Sequence, residues 1–385
     1  MSLQIGIVGL PNAGKSTLFN ALTRADVPVA SYPFTTIDPH VGVAEVPDAR
    51  LDSVAGLIEP DRVMAATVQF VDIAGLVRGA HHGEGLGNQF LANIREVDAV
   101  AMVLRCFGNP DIPHVSEAHD PIDDLAVLDL ELSLADLDAV ERRIERTRIA
   151  AKGRPKGHAW ELATLEALRE HLEAGQPACN FPGGGSFRPT SGSEEANDKR
   201  SGTLLADLFL LTNKPRLLVA NVAEDSLPDG AELAGQVVEA AAQEGSQSVV
   251  LCAECETALA EWPPDEAAAY RAELGLREPG LDRLVRASYQ LLDLITFFTV
   301  TGGEVVRAWI LERGETVWHA AGRVHTDMQR GFIRADVVRY DDLLASGSTQ
   351  AAREGGDLRS EGRDYVVQDG DVIHLHFSNQ RFSLH

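Results

Sequence analysis

The chain has 385 residues, of which 44% are hydrophobic, and it carries a formal net charge of −24 at pH 7. That length predicts two or three domains, and the negative charge argues against sequence-independent binding of nucleic acid over the whole surface, so such contact requires a local basic patch. No apolar run approaches the roughly 20 residues that span a membrane, and we expect no export, no membrane contact and no disulfide framework from four cysteines. These features favour the cytoplasm.

The first motif is a glycine-rich turn between a predicted strand and a predicted helix. Residues 4–8 form a short apolar run, typical of a buried parallel strand, and residues 17–22 are expected to be helical. Between them, Gly9 and Gly14 allow backbone N–H groups to point inward around phosphate oxygens, aided by the positive end of the helix dipole. A glycine turn that binds nothing is the alternative, but strand, loop and helix follow in the order that a phosphate-binding loop requires. We assign nucleotide contacts to Asn12, Ala13, Gly14, Lys15, Ser16 and Thr17.

Two side chains of this loop would take part in the chemistry. Lys15 would reach the β- and γ-phosphates, and the Ser16 hydroxyl would bind Mg²⁺. Residues 26–40 then contain three prolines and show no periodicity, which indicates a loop. In P-loop switches such a loop supplies a threonine that joins Mg²⁺ only while the γ-phosphate is present. Thr35 and Thr36 are the candidates, and we favour Thr36, although both could be ordinary turn residues.

A second phosphate-sensing segment is predicted after the next strand. Residues 67–71 form an apolar, β-branched run that ends in Asp72-Ile-Ala-Gly75. A carboxylate at this strand end can hold the water shell of the metal, and the Gly75 N–H can contact the γ-phosphate. The glycines that follow predict a mobile segment.

The residue after Gly75 bears on catalysis. Many switch enzymes have a glutamine there, which orients the attacking water, whereas this chain has Leu76. Hydrolysis must therefore be slow, or another polar group must take that role. By sequence position His114, in a loop after the predicted strand over 99–105, is the nearest replacement, but a surface-loop histidine is the safer interpretation from the residues alone.

Base recognition is predicted at the ends of two later strands. Residues 215–220 form a buried strand, followed by Asn221-Val222-Ala-Glu224 where guanine-specific relatives have Asn-Lys-x-Asp. Adenine presents an acceptor where guanine presents a donor, and leaving a buried polar group unpaired costs roughly 1–3 kcal/mol. We therefore expect ATP to bind in preference to GTP, with Asn221 contacting adenine. A strand over 247–251 leads to Cys252, which is expected beside the base. Cys252 and Cys255 form a Cys-x-x-Cys pair, but two cysteines supply only two of the four ligands that structural zinc requires.

A helical arm is predicted between the strands that end near 105 and begin at 215. Apolar residues recur at three and four over 137–147 and 165–172, and a Gly-Arg-Pro-Lys-Gly turn over 153–157 predicts an antiparallel hairpin. Residues 176–202 are rich in Gly, Ser, Thr and Pro, which indicates a disordered or loosely packed loop. The hairpin tip carries basic residues opposed only by Glu145, and it is either a solvated helix face or a patch for RNA. Its cations are Arg142, Arg143, Arg146, Arg148, Lys152, Arg154 and Lys156.

The carboxyl-terminal part is predicted to be a small mixed α+β module. Strands are expected over 305–311, 365–367 and 372–377, with a helix over 316–325 and a turn over 369–371. No catalytic spacing is present there, so an interaction domain is favoured.

With these motifs the whole chain resembles the YchF/Obg-like ATPase family, in the translation-factor class of P-loop proteins. The resemblance is carried by Gly9-Leu-Pro-Asn-Ala-Gly-Lys-Ser16, Tyr32-Pro-Phe-Thr-Thr-Ile-Asp-Pro39, Asp72-Ile-Ala-Gly-Leu-Val-Arg-Gly79, Gly83-Glu-Gly-Leu-Gly-Asn-Gln-Phe90, Asn221-Val-Ala-Glu224, His325-Thr-Asp327 and Gly331-Phe-Ile-Arg334.

The resemblance implies an α/β fold: a P-loop NTPase doubly wound sheet with an inserted α-helical coiled-coil arm and a carboxyl-terminal β-grasp (TGS) domain. The corresponding boundaries are 1–128 with 205–300 for the nucleotide domain, 129–204 for the arm and 301–385 for the TGS domain. The resemblance also implies ATP hydrolysis, Mg²⁺ at Ser16 and Thr36, and association with ribosomes. A loop histidine matching His114 is the proposed catalyst in that family, and the asparagine matching Asn12 resembles one that lets related enzymes use K⁺.

We therefore expect a monomeric, Mg²⁺-dependent ATPase that acts as a switch on the ribosome and contacts ribosomal RNA through the basic arm. Two alternatives stay open: a nucleotide-gated ribosome- or RNA-binding protein with negligible turnover, and a GTP-preferring GTPase.

Overall fold

The computed structural model describes residues 3–24, 40–73, 86–108, 120–152, 155–182 and 196–378. The strands within them are β1 (Gln4–Val8), β2 (Val41–Glu45), β3 (Arg62–Met64), β4 (Thr67–Asp72), β5 (Ala99–Cys106), β6 (Arg216–Val222), β7 (Gln247–Leu251), β8 (Leu294–Thr301), β9 (Val305–Glu312), β10 (Phe332–Arg339), β11 (Arg359–Glu361) and β12 (Asp371–Phe377). The helices are α1 (Lys15–Arg24), α2 (Ala49–Ile58), α3 (Leu86–Glu96), α4 (Pro121–Ala151), α5 (Pro155–Glu173), α6 (Ala196–Leu208), α7 (Ala231–Glu244), α8 (Ala253–Leu259), α9 (Pro264–Glu273), α10 (Gly280–Leu291), α11 (Val317–Val324), α12 (Thr326–Arg330), α13 (Tyr340–Ser346) and α14 (Thr349–Gly355). In the described ranges no helix is long and apolar enough to cross a membrane.

The first compact unit is built on a six-stranded sheet with the order β2-β4-β1-β5-β6-β7. β1 pairs in parallel with β4 and β5, and β6 pairs in parallel with β5 and β7. All eight residues of β5 are buried, and seven of them are apolar, the exception being Arg105; such a sequence is typical of a parallel strand that helices cover on both faces. The predicted α/β P-loop fold is confirmed, and the predicted strands at β1, β4, β5, β6 and β7 are found within one or two residues.

The inserted arm is a helical hairpin, as the periodicity predicts. α4 is 31 residues long and α5 is 19 residues long. Val140 and Ile144 on α4 share an apolar cluster with Leu165, Leu168 and Leu172 on α5. The expectation of a loose loop over 176–202 is wrong in part, since residues 196–202 lie in α6, and Leu204 and Leu205 later in α6 join the same cluster.

The second compact unit has its own six-stranded sheet with the order β11-β10-β12-β8-β9-β3. β8 and β9 are antiparallel over eight residue pairs, and α11 packs on the apolar cluster beneath them. Residues 43–68 belong to this unit, because β3 pairs in parallel with β9. Arg50 adds a second link, donating to both carboxylate oxygens of Asp369 at 2.9 and 3.2 Å.

Two details of this second unit differ from the sequence expectation. Residues 365–367 do not form a strand, and only Val366 makes an isolated bridge, to Thr316. The first strand of this carboxyl-terminal part, β8, starts at Leu294, before residue 301, where the carboxyl-terminal domain was expected to begin. The predicted domain boundaries as such stay a prediction.

Asp136 joins the arm to the segment that leads into β6. Its carboxylate is fully buried and accepts three hydrogen bonds at 2.8 Å, from the backbone N–H groups of Leu211 and Thr212 and from the Thr212 hydroxyl. Burial raises the pKa of Asp136 to about 6, although these donors act in the opposite direction. This contact could not be predicted from the sequence, because an aspartate in a charged helix is normally solvated.

We predict that Asp136→Ala lowers the free energy of unfolding by about 3 kcal/mol, because three donors lose their acceptor while two backbone groups stay in the interior. Urea denaturation followed by circular dichroism measures the loss. The matched control is Asp138→Ala on the same helix, which should change stability by less than about 0.5 kcal/mol. Equal losses in the two variants would contradict the assigned role of Asp136.

Candidate functional site

The carboxyl ends of four parallel strands converge on one edge of the first sheet. β1 leads into the glycine-rich loop, β4 ends at Asp72, β6 contains Asn221, and β7 ends one residue before Cys252. Ligands of doubly wound folds bind at this edge, outside the carboxyl ends of the strands. The topology therefore brings together residues that are more than 200 positions apart in sequence.

The glycine-rich loop after β1 has glycine at two positions where a side chain would collide with a neighbouring residue. A Cβ atom at Gly9 would lie 2.5 Å from the carbonyl oxygen of Val103 on β5. Gly14 has φ +94°, and a Cβ atom there would lie 2.1 Å from Nδ2 of Asn221. Asn12 is left-handed with φ 63°, a conformation that asparagine tolerates better than most residues. The loop thus folds as a phosphate-binding turn does and leads directly into α1.

Lys15 is the first residue of α1, and its ammonium group lies inside the loop. The residue is only 7% exposed, and Nζ donates to the carbonyl oxygen of Leu10 at 2.8 Å. Burial lowers the pKa of Lys15, while the negative charge of Asp72 raises it. A cation held in this way is oriented toward the space that the loop encloses, as the binding of a phosphate requires.

Ser16 and Asp72 form the part of the site that suits a divalent cation. The Ser16 hydroxyl donates to Asp72 Oδ2 at 3.3 Å. Asp72 Oδ1 is buried and has no hydrogen-bond partner among the described residues. A hydroxyl beside a carboxylate with an unused oxygen is the hard donor set that Mg²⁺ prefers. These two residues therefore fit the predicted metal.

Asn221 links the phosphate loop to the turn after β7. Its Nδ2 donates to the carbonyl oxygen of Ala13 at 2.9 Å, and its Oδ1 accepts from the backbone N–H of Ala253 at 3.0 Å. The side chain is 4% exposed. Sequence reasoning assigned Asn221 to the base and missed this bracing role, which depends on tertiary contacts.

The other residues predicted to contact the base have different surroundings. The Val222 side chain is 2% exposed and belongs to the apolar core, so any contact of Val222 with a nucleotide would involve its backbone. Glu224 is exposed, accepts a hydrogen bond from the Tyr270 hydroxyl and is contacted by the Cys255 thiol. Cys252 caps α8 and is buried. Thr17 contributes its carbonyl oxygen to a hydrogen bond from the Thr257 hydroxyl at 3.3 Å.

Three predicted site residues, Thr36, Gly75 and His114, lie outside the described residues. Their roles stay predictions.

The basic face of the arm is less cationic than its sequence suggests. Arg143 forms an ion pair with Glu161 at 2.7 Å, and Arg148 forms one with Glu166 at 2.8 Å. The expectation that only Glu145 opposes these cations is therefore wrong, because α5 brings two more carboxylates alongside α4. Arg142, Arg146 and Lys152 are exposed and form no ion pair with any residue of the described part of the arm.

Comparison with known proteins identifies the family. One family model, described as "50S ribosome-binding GTPase", matches residues 4–137, and the YchF-GTPase_C model, described as "Protein of unknown function (DUF933)", matches residues 294–378. The chain is 47% identical over 380 residues to the "Ribosome-binding ATPase YchF" of Bacillus subtilis, covering 98% of this chain and 100% of the relative. The chain belongs to the YchF family. The Escherichia coli O157:H7 member is likewise 47% identical, over 98% of this chain and its whole length.

A solved structure of the YchF family supports the fold. The "Schizosaccharomyces pombe YchF GTPase" matches with a TM-score of 0.82 and 31% identity, covering 97% of this chain and 98% of that chain. The YchF relatives are named for different nucleotides, the two bacterial proteins as ATPases and the Schizosaccharomyces pombe protein as a GTPase.

We predict that Asn221→Ala loosens the phosphate loop even in the absence of any ligand. The variant removes the acceptor of the Ala253 N–H and the donor to Ala13, so we expect a melting temperature several degrees lower. Differential scanning calorimetry without nucleotide measures this change. Asn20→Ala, on the exposed side of α1, is the control and should melt with the parent; a parent-like melting temperature for Asn221→Ala would remove the bracing role.

Proposed function

We propose that this YchF-family chain is a Mg²⁺-dependent ATPase that binds ATP in preference to GTP and acts as a switch on the ribosome, in the cytoplasm. The observation that carries the proposal is the arrangement of the loop after β1, with buried Lys15 inside it and Ser16 beside Asp72. Relatives named ribosome-binding ATPases, with 47% identity over the full length, support the activity and the partner.

Phosphate binding and Mg²⁺ binding would be carried out by different residues of the site. Backbone N–H groups of residues 12–17 and the Lys15 ammonium would hold the β- and γ-phosphates and stabilise the charge that develops during their cleavage. Ser16, Asp72 and Thr36 would hold Mg²⁺. When bound, the ion supplies charge neutralisation between the phosphates. Lys15 is already confined by Leu10, so little reorganisation is needed at the time of reaction.

Switching and hydrolysis would depend on the two segments predicted to sense the γ-phosphate. Thr36 and the Gly75 N–H would be ordered by ATP and released by hydrolysis. Leu76 cannot orient water, so we assign that role to His114 and expect slow turnover. Asn12, left-handed beside the phosphate loop, is where K⁺ would assist.

The preference for ATP is proposed from the residues that replace the guanine-reading motif. A guanine-specific site uses an aspartate to accept from the ring N–H and amino group, whereas this chain has Glu224, whose carboxylate is engaged by Tyr270 and Cys255. The lysine of that motif is replaced by Val222, whose side chain points into the core. The second candidate function, a GTPase, is favoured by two names: the solved Schizosaccharomyces pombe relative and the family model over residues 4–137 are both called GTPases.

We predict that the double substitution Val222→Lys with Glu224→Asp shifts the ratio of kcat/KM for ATP to that for GTP toward GTP by about tenfold or more, since restoring the guanine partner is worth roughly 1–3 kcal/mol. Steady-state turnover with both nucleotides, with and without ribosomes, measures it. Glu232→Asp on α7 is the matched control, because it makes the same change of side chain away from the site.

Three outcomes of this experiment would contradict the proposal. A parent protein that prefers GTP would favour the GTPase alternative. Absent turnover with and without ribosomes would favour a nucleotide-gated ribosome-binding protein. A double variant with the parent's ratio would remove Val222 and Glu224 from nucleotide selection.

The ribosomal contact is proposed for the three exposed cations of the arm that stay free of ion pairs in its described part, Arg142, Arg146 and Lys152. Contacts to an RNA backbone are electrostatic, so their number is read from the dependence of binding on salt. Arg143 and Arg148 are expected to contribute less, because Glu161 and Glu166 already offset their charges.

We predict that Arg142→Gln, Arg146→Gln and Lys152→Gln together weaken ribosome binding and reduce the slope of log K against log salt by about 2–3, roughly one for each lost phosphate contact. Cosedimentation with ribosomes at several salt concentrations, in the presence of ATP, ADP or a non-hydrolysable analogue, measures both. A control removes three cations elsewhere, Arg313→Gln, Arg330→Gln and Arg363→Gln. An unchanged slope in the arm variant would exclude the arm as the RNA contact.

A further inference from the structure

Cys252 and Cys255 are a thiol pair to which the proposed ATPase activity assigns no chemical step. Both are free cysteines, 4% and 7% exposed, at the start of α8 beside the phosphate loop. In the described residues no group of three or more His, Cys, Asp or Glu side chains could hold a metal ion, so the pair is not part of such a site. The pair is therefore a free dithiol.

The backbone places the two sulfur atoms together. Cys252 is the N-cap of α8, with φ −106° and ψ 105°, and its Sγ accepts the backbone N–H of Cys255 at 3.4 Å. The thiol of Cys255 is close enough to the Cys252 sulfur to affect the pKa of Cys252. An N-cap residue and the residue three positions later face each other across the first helical turn, which suits the separation that a disulfide requires.

The surroundings make the two thiols unequal. The hydrogen bond from the Cys255 thiol lowers the pKa of Cys252, with burial opposing it and the two backbone N–H groups at the helix start assisting it. The same thiol–sulfur contact, together with burial, raises the pKa of Cys255. The other titratable groups around the pair are Glu254 on α8, Glu224 before α7 and Tyr270 on α9. Glu254 raises the pKa of Cys252 and Glu224 raises that of Cys255, so the donors to sulfur, and not a nearby cation, favour a thiolate at Cys252.

We propose that Cys252 and Cys255 are a redox-active dithiol, which hydrogen peroxide converts reversibly into a disulfide. Cys252 is the attacking thiol and Cys255 the resolving thiol. Burial of both sulfur atoms favours a small oxidant over a bulky disulfide such as oxidised glutathione.

The reaction balances in two steps. The Cys252 thiolate attacks one peroxide oxygen, the O–O bond breaks, and hydroxide leaves and takes up a proton, so that Cys252 becomes a sulfenic acid. The Cys255 sulfur then attacks the Cys252 sulfur, and the S–O bond breaks. The proton of the Cys255 thiol leaves with the hydroxyl group as water. In sum two thiols are oxidised, one peroxide is reduced to two waters, and a dithiol reductant reverses the change.

The remaining two cysteines provide internal controls. Burial raises the pKa of the Cys106 thiol to about 12, and burial also raises the pKa of Cys179. No other cysteine is among the groups that shift the pKa of either thiol. Both should therefore react far more slowly than Cys252.

Oxidation of the pair would reach the phosphate loop through one residue. Ala253 lies between the cysteines, and its N–H holds Asn221, which in turn holds Ala13. A disulfide must turn both side chains from their hydrogen-bonded arrangement toward a dihedral near 90°, which disturbs this turn. We therefore expect oxidation to weaken ATP binding by about tenfold; this consequence, unlike the thiol chemistry, rests on the proposed function.

The experiment treats the full-length protein with hydrogen peroxide, blocks the remaining thiols with an alkylating agent after denaturation, and maps the four cysteines by mass spectrometry. We expect the peptide that contains Cys252 and Cys255 to be two hydrogens lighter and unalkylated, and Cys106 and Cys179 to be fully alkylated. In Cys255→Val we expect a sulfenic acid at Cys252, trapped by dimedone, and an alkylation rate that rises at higher pH than in the parent. Oxidised glutathione should react much more slowly than peroxide.

The mapping can overturn the inference without reference to nucleotides. Cys252 and Cys255 fully alkylated after peroxide treatment would overturn it, as would equal oxidation of Cys255 in Cys252→Ser. Calorimetry of ATP binding to the reduced and oxidised parent tests the consequence, and equal affinities would overturn the coupling alone. Failure of the reduced protein to bind ATP would instead reject the proposed function while leaving the dithiol chemistry in place.

Discussion

The site depends on one buried amide. Asn221 on β6 holds the carbonyl oxygen of Ala13 and the N–H of Ala253, so a single side chain fixes the phosphate loop and the turn after β7 relative to the central strands. Gly14 is required by the same contact, because any Cβ atom there would overlap Asn221. An amide serves this purpose since it offers a donor and an acceptor at once, in a place where a charge would have to be desolvated.

The charged side chains near Asn221 are already held in position in the absence of a ligand. Lys15 is confined by a backbone carbonyl and lies near Asp72, whose second oxygen has no partner in the described residues. On a chain with a net charge of −24, a polyanion would otherwise meet repulsion. The Lys15 cation offsets that field locally, within the loop, and the unused oxygen of Asp72 leaves a position for a divalent ion. Binding of a bare triphosphate and of its magnesium complex should differ for this reason.

The sequence was sufficient for those parts of the molecule that depend on local patterns. Strands β1 and β5 are short, largely apolar runs, which is typical of buried strands. The spacing of Gly9 and Gly14 is that of a phosphate-binding loop. The strand β8 and the pairing of β3 with β9 were not anticipated, because the latter joins residues more than 240 positions apart and leaves no periodic trace. The same limit explains why the bracing role of Asn221 was not predicted: its partners, Ala13 and Ala253, are backbone groups that only the tertiary structure brings near.

The arm shows how the same limit affects an inference about charge. Over residues 142–148 of α4 four arginines are accompanied by one acid, Glu145, so this stretch considered alone presents a basic face. The antiparallel partner α5 carries its carboxylates 18 residues further on, at positions that meet α4 only after the hairpin closes. Exposed ion pairs of this kind add little to stability, but they remove two cations from the set that a phosphate backbone could engage. The arm therefore offers an RNA backbone fewer cations than its sequence contains. The cations available for such contacts are those that form no ion pair with an acid on the facing helix.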